Sequence, residues 1–143
     1  MKKIFILGLI AIVSCCACNN SETKETPASE NDLDAARNFI RAALDGKWDE
    51  ARNYLLQDSV NVQLLETTEG SYRTKTGEDK RAYREASINL FGSRKIGDSI
   101  TIVNYSNSYK DKKDSLKVVR SNGQWLIDLK YSLLARDSTK HVQ

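Results

Sequence analysis

The residues best suited to chemistry are three cysteines within four positions, Cys15, Cys16 and Cys18, directly after an apolar run. Closely spaced thiols could bind a metal, pair as a disulfide or carry a covalent modification. A metal site needs further ligands, and the chain has no other cysteine and one histidine, His141, near its C-terminus. A disulfide between such close neighbours would constrain little of the unfolded chain. The cysteines therefore favour covalent modification, and we expect no metal and no cofactor.

The N-terminal segment has the three parts of an export signal. Lys2 and Lys3 form a positive region, residues 4–13 form an apolar region, and the small residue Ser14 comes next. The apolar region is far shorter than the roughly 20 residues that a membrane-spanning helix needs. We therefore predict that residues 1–14 are a signal peptide that is removed, and not a lasting transmembrane anchor.

The four residues "IVSC", ending at Cys15, resemble the bacterial lipobox, in which a signal peptidase cuts before a cysteine that is acylated on its sulfur. The resemblance implies lipidation of Cys15, and a second register with Ala17 before the cut makes Cys18 the alternative. It also implies a lipoprotein of the bacterial cell envelope, anchored to a membrane by its N-terminal lipid. The domain would then lie in the periplasm or at the cell surface.

The residues after the lipidation site predict a flexible tether that ends at residue 31. The segment "NNSETKETPASEN" has no large apolar side chain, so it cannot bury enough surface to offset the entropy of ordering. Loss of Lys2 and Lys3 with the signal peptide leaves 20 of the 22 basic residues against 19 acidic ones. A nearly neutral domain has no general attraction for nucleic acid, and we expect none as a partner.

Three stretches have the apolar spacing of amphipathic helices. The first is predicted from about Leu33 to Asp45, because Asn31 can cap its start and Gly46 can end it. The second begins at Trp48 and ends near Asp58. A third helix is predicted from about Gly77 to Phe91, since Thr76 and Asp79 match a helix start and Gly92 a stop. Residues 59–76 fit a strand or a helix equally well.

The C-terminal part is rich in β-branched and aromatic residues that alternate with polar ones. The segments "DSITIVNYSNSYK", "DSLKVVRS" and "GQWLIDLKYSL" predict three antiparallel strands, and Asn122 and Gly123 predict a tight hairpin between the last two. Helices followed by a meander indicate an α+β domain over residues 32–135, with the N-terminal helices packed on a curved antiparallel sheet. Residues 136–143 form a polar tail.

The order of "AARNFIRAALDGKWDEARNYL", a further helix and a meander with "SNGQWLIDL" resembles small bacterial lipoproteins of unknown function. These belong to the cystatin-like, or nuclear-transport-factor-two-like, superfamily. The resemblance implies a sheet curved around a helix as a cone whose mouth can hold a small molecule. Here the region between the second and third helices lacks the clear strand hairpin of many relatives. The aromatic residues expected to line such a pocket are Tyr83, Trp48, Tyr105 and Trp125.

Two classes of function remain open on these residues. The first is a non-catalytic envelope protein that binds another envelope protein, a second copy of itself or a small apolar ligand; an inhibitory role would be one form of it. The second is an isomerase or hydratase that works inside the cone, as some relatives do. It would need an acid and a base with separated pKa values among the groups Asp58, Tyr54, Tyr72, Tyr83 and Tyr105. No common catalytic motif is present, and no catalytic residue is expected.

Overall fold

The computed structural model describes residues 28–132, in which four helices precede one sheet. The predicted signal peptide, the predicted lipidation sites Cys15 and Cys18, most of the predicted tether and the predicted polar tail lie outside the described residues. The predicted α+β class is confirmed. None of the described helices is long and apolar enough to cross a membrane. The elements are α1 Asp32–Asp45, α2 Trp48–Asn53, α3 Ser59–Arg73, α4 Gly77–Glu85, β1 Ile88–Ile96, β2 Ile100–Asn107, β3 Asp114–Ser121 and β4 Gln124–Asp128.

The first helix ends at the predicted residue, Asp45, and begins at Asp32, one residue before the predicted start. The side chain of Asn31 accepts a hydrogen bond from the backbone N–H of Asp34 at 3.0 Å and donates to the Asp34 carboxylate at 2.7 Å. Gly46 ends the helix in the left-handed conformation, with φ of 74°. Four alanines on the buried side allow close packing of α1 and α2, namely Ala35, Ala36, Ala42 and Ala51.

The prediction that the second helix continues to Asp58 is wrong, because the chain leaves the helix to meet the sheet. α2 ends at Asn53, and Leu55 lies beside Ile127 of β4 in a parallel bridge. The Tyr54 carbonyl accepts from the Ile127 N–H at 2.8 Å, and the Leu56 N–H donates to the Ile127 carbonyl at 2.9 Å. Two hydrogen bonds with the sheet replace those of another helical turn.

Residues 59–76, which the sequence left undecided, are mainly the helix α3. Asp58 caps it by accepting from the backbone N–H groups of Val60 and Asn61. The Asn61 amide is fully buried, donates to Asp58 at 2.8 Å and accepts from the Leu129 N–H at 2.8 Å. This side chain therefore joins the start of α3 to the end of β4.

The prediction of one helix from Gly77 to Phe91 is wrong in its second half. α4 begins as predicted at Gly77, with Thr76 as its cap, but it ends at Glu85, and residues 88–96 form the strand β1. The Arg41 guanidinium of α1 holds the end of the helix, donating to the carbonyls of Ala86 at 2.8 Å and Arg84 at 3.1 Å. A cation from a distant helix thus satisfies carbonyls that would otherwise favour further helix.

The sheet has four antiparallel strands in the order β1-β2-β3-β4, so the prediction of a three-stranded meander is one strand short. β1 pairs with β2 from Ile88 to Ile96, with a bulge at Phe91. The predicted hairpin between β3 and β4 is confirmed, since Asn122 and Gly123 both have positive φ, at 50° and 80°. The sheet is open: β4 borders the bridge at Leu55, and β1 is the other edge.

The helices pack on one face of this sheet. Val103, Leu116, Val118 and Ile127 of β2, β3 and β4 are buried against α1 and its neighbours. At one end of the same face, the Thr101 hydroxyl donates to the buried Asp32 carboxylate at 2.5 Å. Because side chains alternate along a strand, Tyr105 and Asn107 point to the same face as Val103 and Thr101.

Candidate functional site

A cavity of about 570 Å³ lies between α1, α3 and the inner face of the sheet, and we call it the helix–sheet cavity. Its volume falls within the range of about 300–1,000 Å³ that is typical of small-molecule sites. Its lining comes from α1 and α2 (Phe39, Ile40, Ala43, Leu44, Trp48), α3 (Leu64, Leu65, Thr67, Thr68, Ser71, Tyr72), the α3–α4 connection and α4 (Lys75, Tyr83), and the sheet side (Tyr105, Asn107, Lys110, Leu116, Leu129, Ser132).

The inner part of the cavity is apolar and rigidly placed. Phe39, Ile40 and Leu44 of α1 are at most 6% exposed, as are Leu65 of α3 and Leu116 of β3. These side chains pack against the core on their other sides, which fixes their rotamers. The inner part is therefore suited to hydrocarbon.

The mouth of the cavity is polar. Thr67, Thr68 and Ser71 are exposed on one side of α3, and Lys110 is exposed in the β2–β3 turn opposite. Each of the three hydroxyls donates to a carbonyl one turn earlier in its own helix, so its oxygen remains an acceptor towards the mouth. The arrangement suits a ligand that has one apolar and one polar end.

Aromatic rings form a continuous series along one side of the cavity. The ring centroids of Trp48 and Tyr72 are 5.4 Å apart, and those of Tyr72 and Tyr83 are 5.7 Å apart, both edge to face. Tyr83 then lies 4.0 Å from Tyr109 in a tilted stack. Each such pair contributes about 0.5–1.5 kcal/mol beyond the burial of its area, so the rings hold one another in place along this side of the cavity.

The structure brings together three of the four aromatic residues that the sequence suggested for a pocket. Tyr83, Trp48 and Tyr105 line the helix–sheet cavity. Trp125 is not part of the lining; it is half-buried on β4, with the Arg120 guanidinium 5.6 Å from its ring centre. Of the groups considered for acid–base catalysis, Tyr72, Tyr83 and Tyr105 line the cavity. Asp58 and Tyr54 are not part of the lining.

Asp58 instead belongs to a series of linked ion pairs between the start of α3 and the end of β4. Lys130 Nζ lies 2.6 Å from Asp58 Oδ2 and 3.6 Å from Asp128 Oδ1, and Lys117 Nζ lies 3.3 Å from Asp128 Oδ2. The hydrogen bond from Lys130 is the main cause that lowers the pKa of Asp58. The same bond raises the pKa of Lys130. These ion pairs connect the start of α3 with β3 and with the end of β4.

Lys75 is half-buried and lies in the lining of the cavity, and no pattern in the sequence predicts this position. It lies in the short connection between α3 and α4, where its N–H donates to the Tyr72 carbonyl at 3.1 Å. Its ammonium group lies 5.2 Å from the centre of the Tyr83 ring. Among residues 28–132, no carboxylate oxygen lies within 4.0 Å of Lys75 Nζ.

The carboxylate of Asp79, which lies on α4 outside the cavity lining, accepts hydrogen bonds from two hydroxyls. Thr76 donates to Oδ2 at 2.9 Å and Tyr109 donates to Oδ1 at 3.2 Å. The Thr76 and Tyr109 bonds lower the pKa of Asp79, with Lys75 contributing less. Burial and the bond to Asp79 raise the pKa of Tyr109. The pair fixes the β2–β3 turn against the start of α4.

A second, more open pocket of about 650 Å³ lies behind the wall formed by Trp48 and Tyr72. Each of these two rings lines both pockets. The Trp48 indole N–H is buried and has no hydrogen-bond acceptor among the described residues. A buried donor of this kind normally finds water or a ligand. The other residues around the second pocket are mostly charged: Gly46, Lys47, Asp49, Glu50, Glu69, Arg73 and Lys80.

Within residues 28–132, no cluster of three or more His, Cys, Asp or Glu side chains is placed to hold a metal ion. Ionisable groups of the cavity lining in this range are the lysines Lys75 and Lys110 and the three tyrosines. No protein-family model matches the chain, and comparison with curated proteins and with solved structures finds no match either.

Proposed function

We propose that this protein is a lipid-anchored lipoprotein of the bacterial cell envelope whose domain binds a small, largely apolar molecule in the helix–sheet cavity. The observation that carries the binding role is the cavity itself: about 570 Å³ of space with a packed apolar interior and a polar mouth. The anchor is supported by the export signal and by the lipobox-like residues before Cys15. The domain would hold its ligand close to the membrane, without catalysis.

We also propose that the fold is a cystatin-like one in which α3 takes the place of a strand hairpin. This is supported by the order of α1, α2 and a later antiparallel sheet, and by the way α1 packs across the inner face of that sheet. The wall that a second hairpin would form is replaced by Leu64, Leu65 and Tyr72 of a helix. The opening would accordingly lie between helix and sheet.

Binding is favoured over isomerase or hydratase chemistry by the kind of charge near the cavity. Such an enzyme needs a base beside the reacting carbon, and a carboxylate inside an apolar pocket would have a raised pKa. The charged side chains in the described lining are lysines, and Asp79 outside it has a lowered pKa. These features suit the holding of a ligand.

The proposal is tested by the fluorescence of Trp48, one of the chain's two tryptophans, in a Trp125→Phe background. Titration with N-phenyl-1-naphthylamine, a neutral apolar probe, is expected to quench Trp48 with saturation at one probe per chain. Ala43→Leu places three further carbon atoms in the cavity and is expected to weaken binding. No saturable quenching in the parent chain would contradict the proposal.

Ala82→Leu is the matched control for this experiment. Ala82 lies on α4, is half-buried like Ala43, and does not line the cavity. The same enlargement at Ala82 is expected to leave the affinity for the probe unchanged. Equal weakening by both leucines would show that the probe binds elsewhere.

A further inference from the structure

We propose that the ligand of the helix–sheet cavity is a single-chain amphiphile with an anionic head, a carboxylate or a phosphate monoester, bound by Lys75 Nζ at the mouth. The inference rests on the proposed function and names the class of its ligand. The apolar end would lie against Phe39, Ile40 and Leu65, and the head would lie where α3 meets α4.

The first argument is the sign of the charge around the cavity. Lys75 and Lys110 are the charged side chains of the described lining, and neither Asp nor Glu occurs among its members. An anion that enters thus meets two cations and no carboxylate among the described lining residues. A cationic head would meet lysines and would be repelled.

The second argument is the position of the Lys75 ammonium group. It lies over the Tyr83 ring at 5.2 Å, and the side chain is half-buried, so part of its hydration is already lost. The neighbouring Asp79 carboxylate makes no ion pair with it within 4.0 Å, and the two Asp79 oxygens accept from Thr76 and Tyr109. A partly desolvated cation without a close carboxylate gains from an anionic ligand.

The third argument is the separation of polar and apolar lining. Tyr83 borders both regions: its ring faces the cavity, and the Lys75 ammonium lies above it. Burial of hydrocarbon is favourable in proportion to the area buried, whereas a charged head group gains only if its charge is paired. A molecule with a hydrocarbon chain and one anionic end satisfies both requirements at once.

The test is isothermal titration calorimetry of the full chain, free of detergent, with four ten-carbon probes below their micelle concentrations. Decanoate and decyl phosphate carry anionic heads, 1-decanol a neutral head and decyltrimethylammonium a cationic head. The two anions are expected to bind about tenfold or more tightly than decanol, as one charge-assisted contact provides. The cationic probe is expected to bind more weakly than decanol.

The variant Lys75→Met keeps the length of the side chain and removes its charge. It is expected to lose the preference for the anions while its affinity for decanol stays the same, which also shows that the cavity is still folded. Lys75→Arg is expected to restore most of the preference. Lys95→Met, which removes an exposed lysine of β1 away from the cavity, is expected to change nothing.

The outcomes separate this inference from the proposed function. Equal binding of decanol and decanoate, or an unchanged preference in Lys75→Met, would overturn the anionic head and leave the apolar site standing. Tighter binding of decanoate than of decyl phosphate, or the reverse, identifies which anion the head is and supports the inference either way. Failure of all four probes to bind would overturn the binding role as well.

Discussion

The ring of Tyr72 lies directly over Gly46, so closely that a Cβ atom at Gly46 would be 2.7 Å from the Tyr72 hydroxyl oxygen and 2.8 Å from a ring carbon. Gly46 also has φ of 74°, which L-residues with side chains seldom adopt. One residue therefore ends α1 and leaves room for the ring. Because Tyr72 stands edge to face against Trp48, this contact positions the wall between the two pockets.

Gly46→Ala is expected to lower the free energy of unfolding by about 1–2 kcal/mol from backbone strain alone. The Cβ also displaces Tyr72, so we expect the emission of Trp48 to change in the folded state. Urea unfolding followed by circular dichroism measures the stability, and fluorescence measures the displacement. A variant as stable as the parent, with unchanged emission, would show that Tyr72 does not depend on the glycine.

Gly70→Ala is the control for this substitution. Gly70 lies within α3, and nothing surrounds the position where its Cβ would be. Alanine in the interior of a helix is favoured over glycine, so the variant is expected to be more stable by roughly 0.5–1 kcal/mol. Opposite signs for the two glycines are the specific expectation.

Asn61→Ala is expected to lower the free energy of unfolding by about 1–3 kcal/mol, because the partly buried Leu129 N–H loses its acceptor. Gln63→Ala, an exposed substitution on the same helix, is expected to stay within about 0.5 kcal/mol of the parent. Chemical denaturation compares them. If both variants unfold alike, Asn61 does not join α3 to β4 as the distances indicate.

Asp58→Asn is expected to destabilise the protein near neutral pH and to lose this effect in acid. Asparagine caps a helix as well as aspartate does, so the change mainly removes the charge that binds Lys130. Since folding lowers the pKa of Asp58, the carboxylate stabilises the folded state above its unfolded pKa of about 3.9. That stabilisation disappears as the pH falls below this value and through the lower folded pKa.

The pKa of Asp58 itself can be followed by carboxyl-carbon NMR in the folded protein. Lys130→Met removes the main cause of the shift and is expected to raise the pKa of Asp58 towards its ordinary value. A difference between Asp58→Asn and the parent that grows as the pH falls would contradict this sign.

Cys15→Ser is expected to abolish incorporation of labelled palmitate and to release the protein from the membrane fraction. Cys18→Ser is the matched control and is expected to leave both unchanged, since the residues before Cys15 fit the lipobox resemblance better. The opposite result, with loss of label in Cys18→Ser alone, would place the anchor in the second register. Labelling of both variants together would exclude either cysteine as the sole site.

Local signals in the sequence were sufficient for much of the fold. Asn31, Gly46, Thr76 and the pair Asn122 and Gly123 act on their immediate neighbours, so their effects on helix ends and on the hairpin follow from residue type. The same holds for the α+β class, because helical and strand periods are separated along the chain. The position of Tyr83 in the cavity lining could be predicted because Tyr83 lies on the apolar side of a helix.

The two helix ends that were predicted wrongly have a common cause, which is contact between residues distant in sequence. α2 ends early because Tyr54 and Leu56 hydrogen-bond to the backbone of Ile127. α4 ends early because the Arg41 guanidinium donates to the carbonyls of Arg84 and Ala86. Neither partner can be identified from a local pattern. The sequence predicts only part of the cavity lining for the same reason. One wall comes from α3, and the position of Lys75 depends on how α3 and α4 meet.

The central claim, that the helix–sheet cavity holds a small amphiphilic molecule, is tested most directly by native mass spectrometry of the full chain after exposure to a lipid extract of bacterial envelopes. We predict one discrete adduct of small mass per chain, retained in Ala82→Leu, strongly reduced in Ala43→Leu and, for an anionic adduct, reduced in Lys75→Met. A chain that carries no adduct, or an adduct that Ala43→Leu leaves unchanged, would contradict the account.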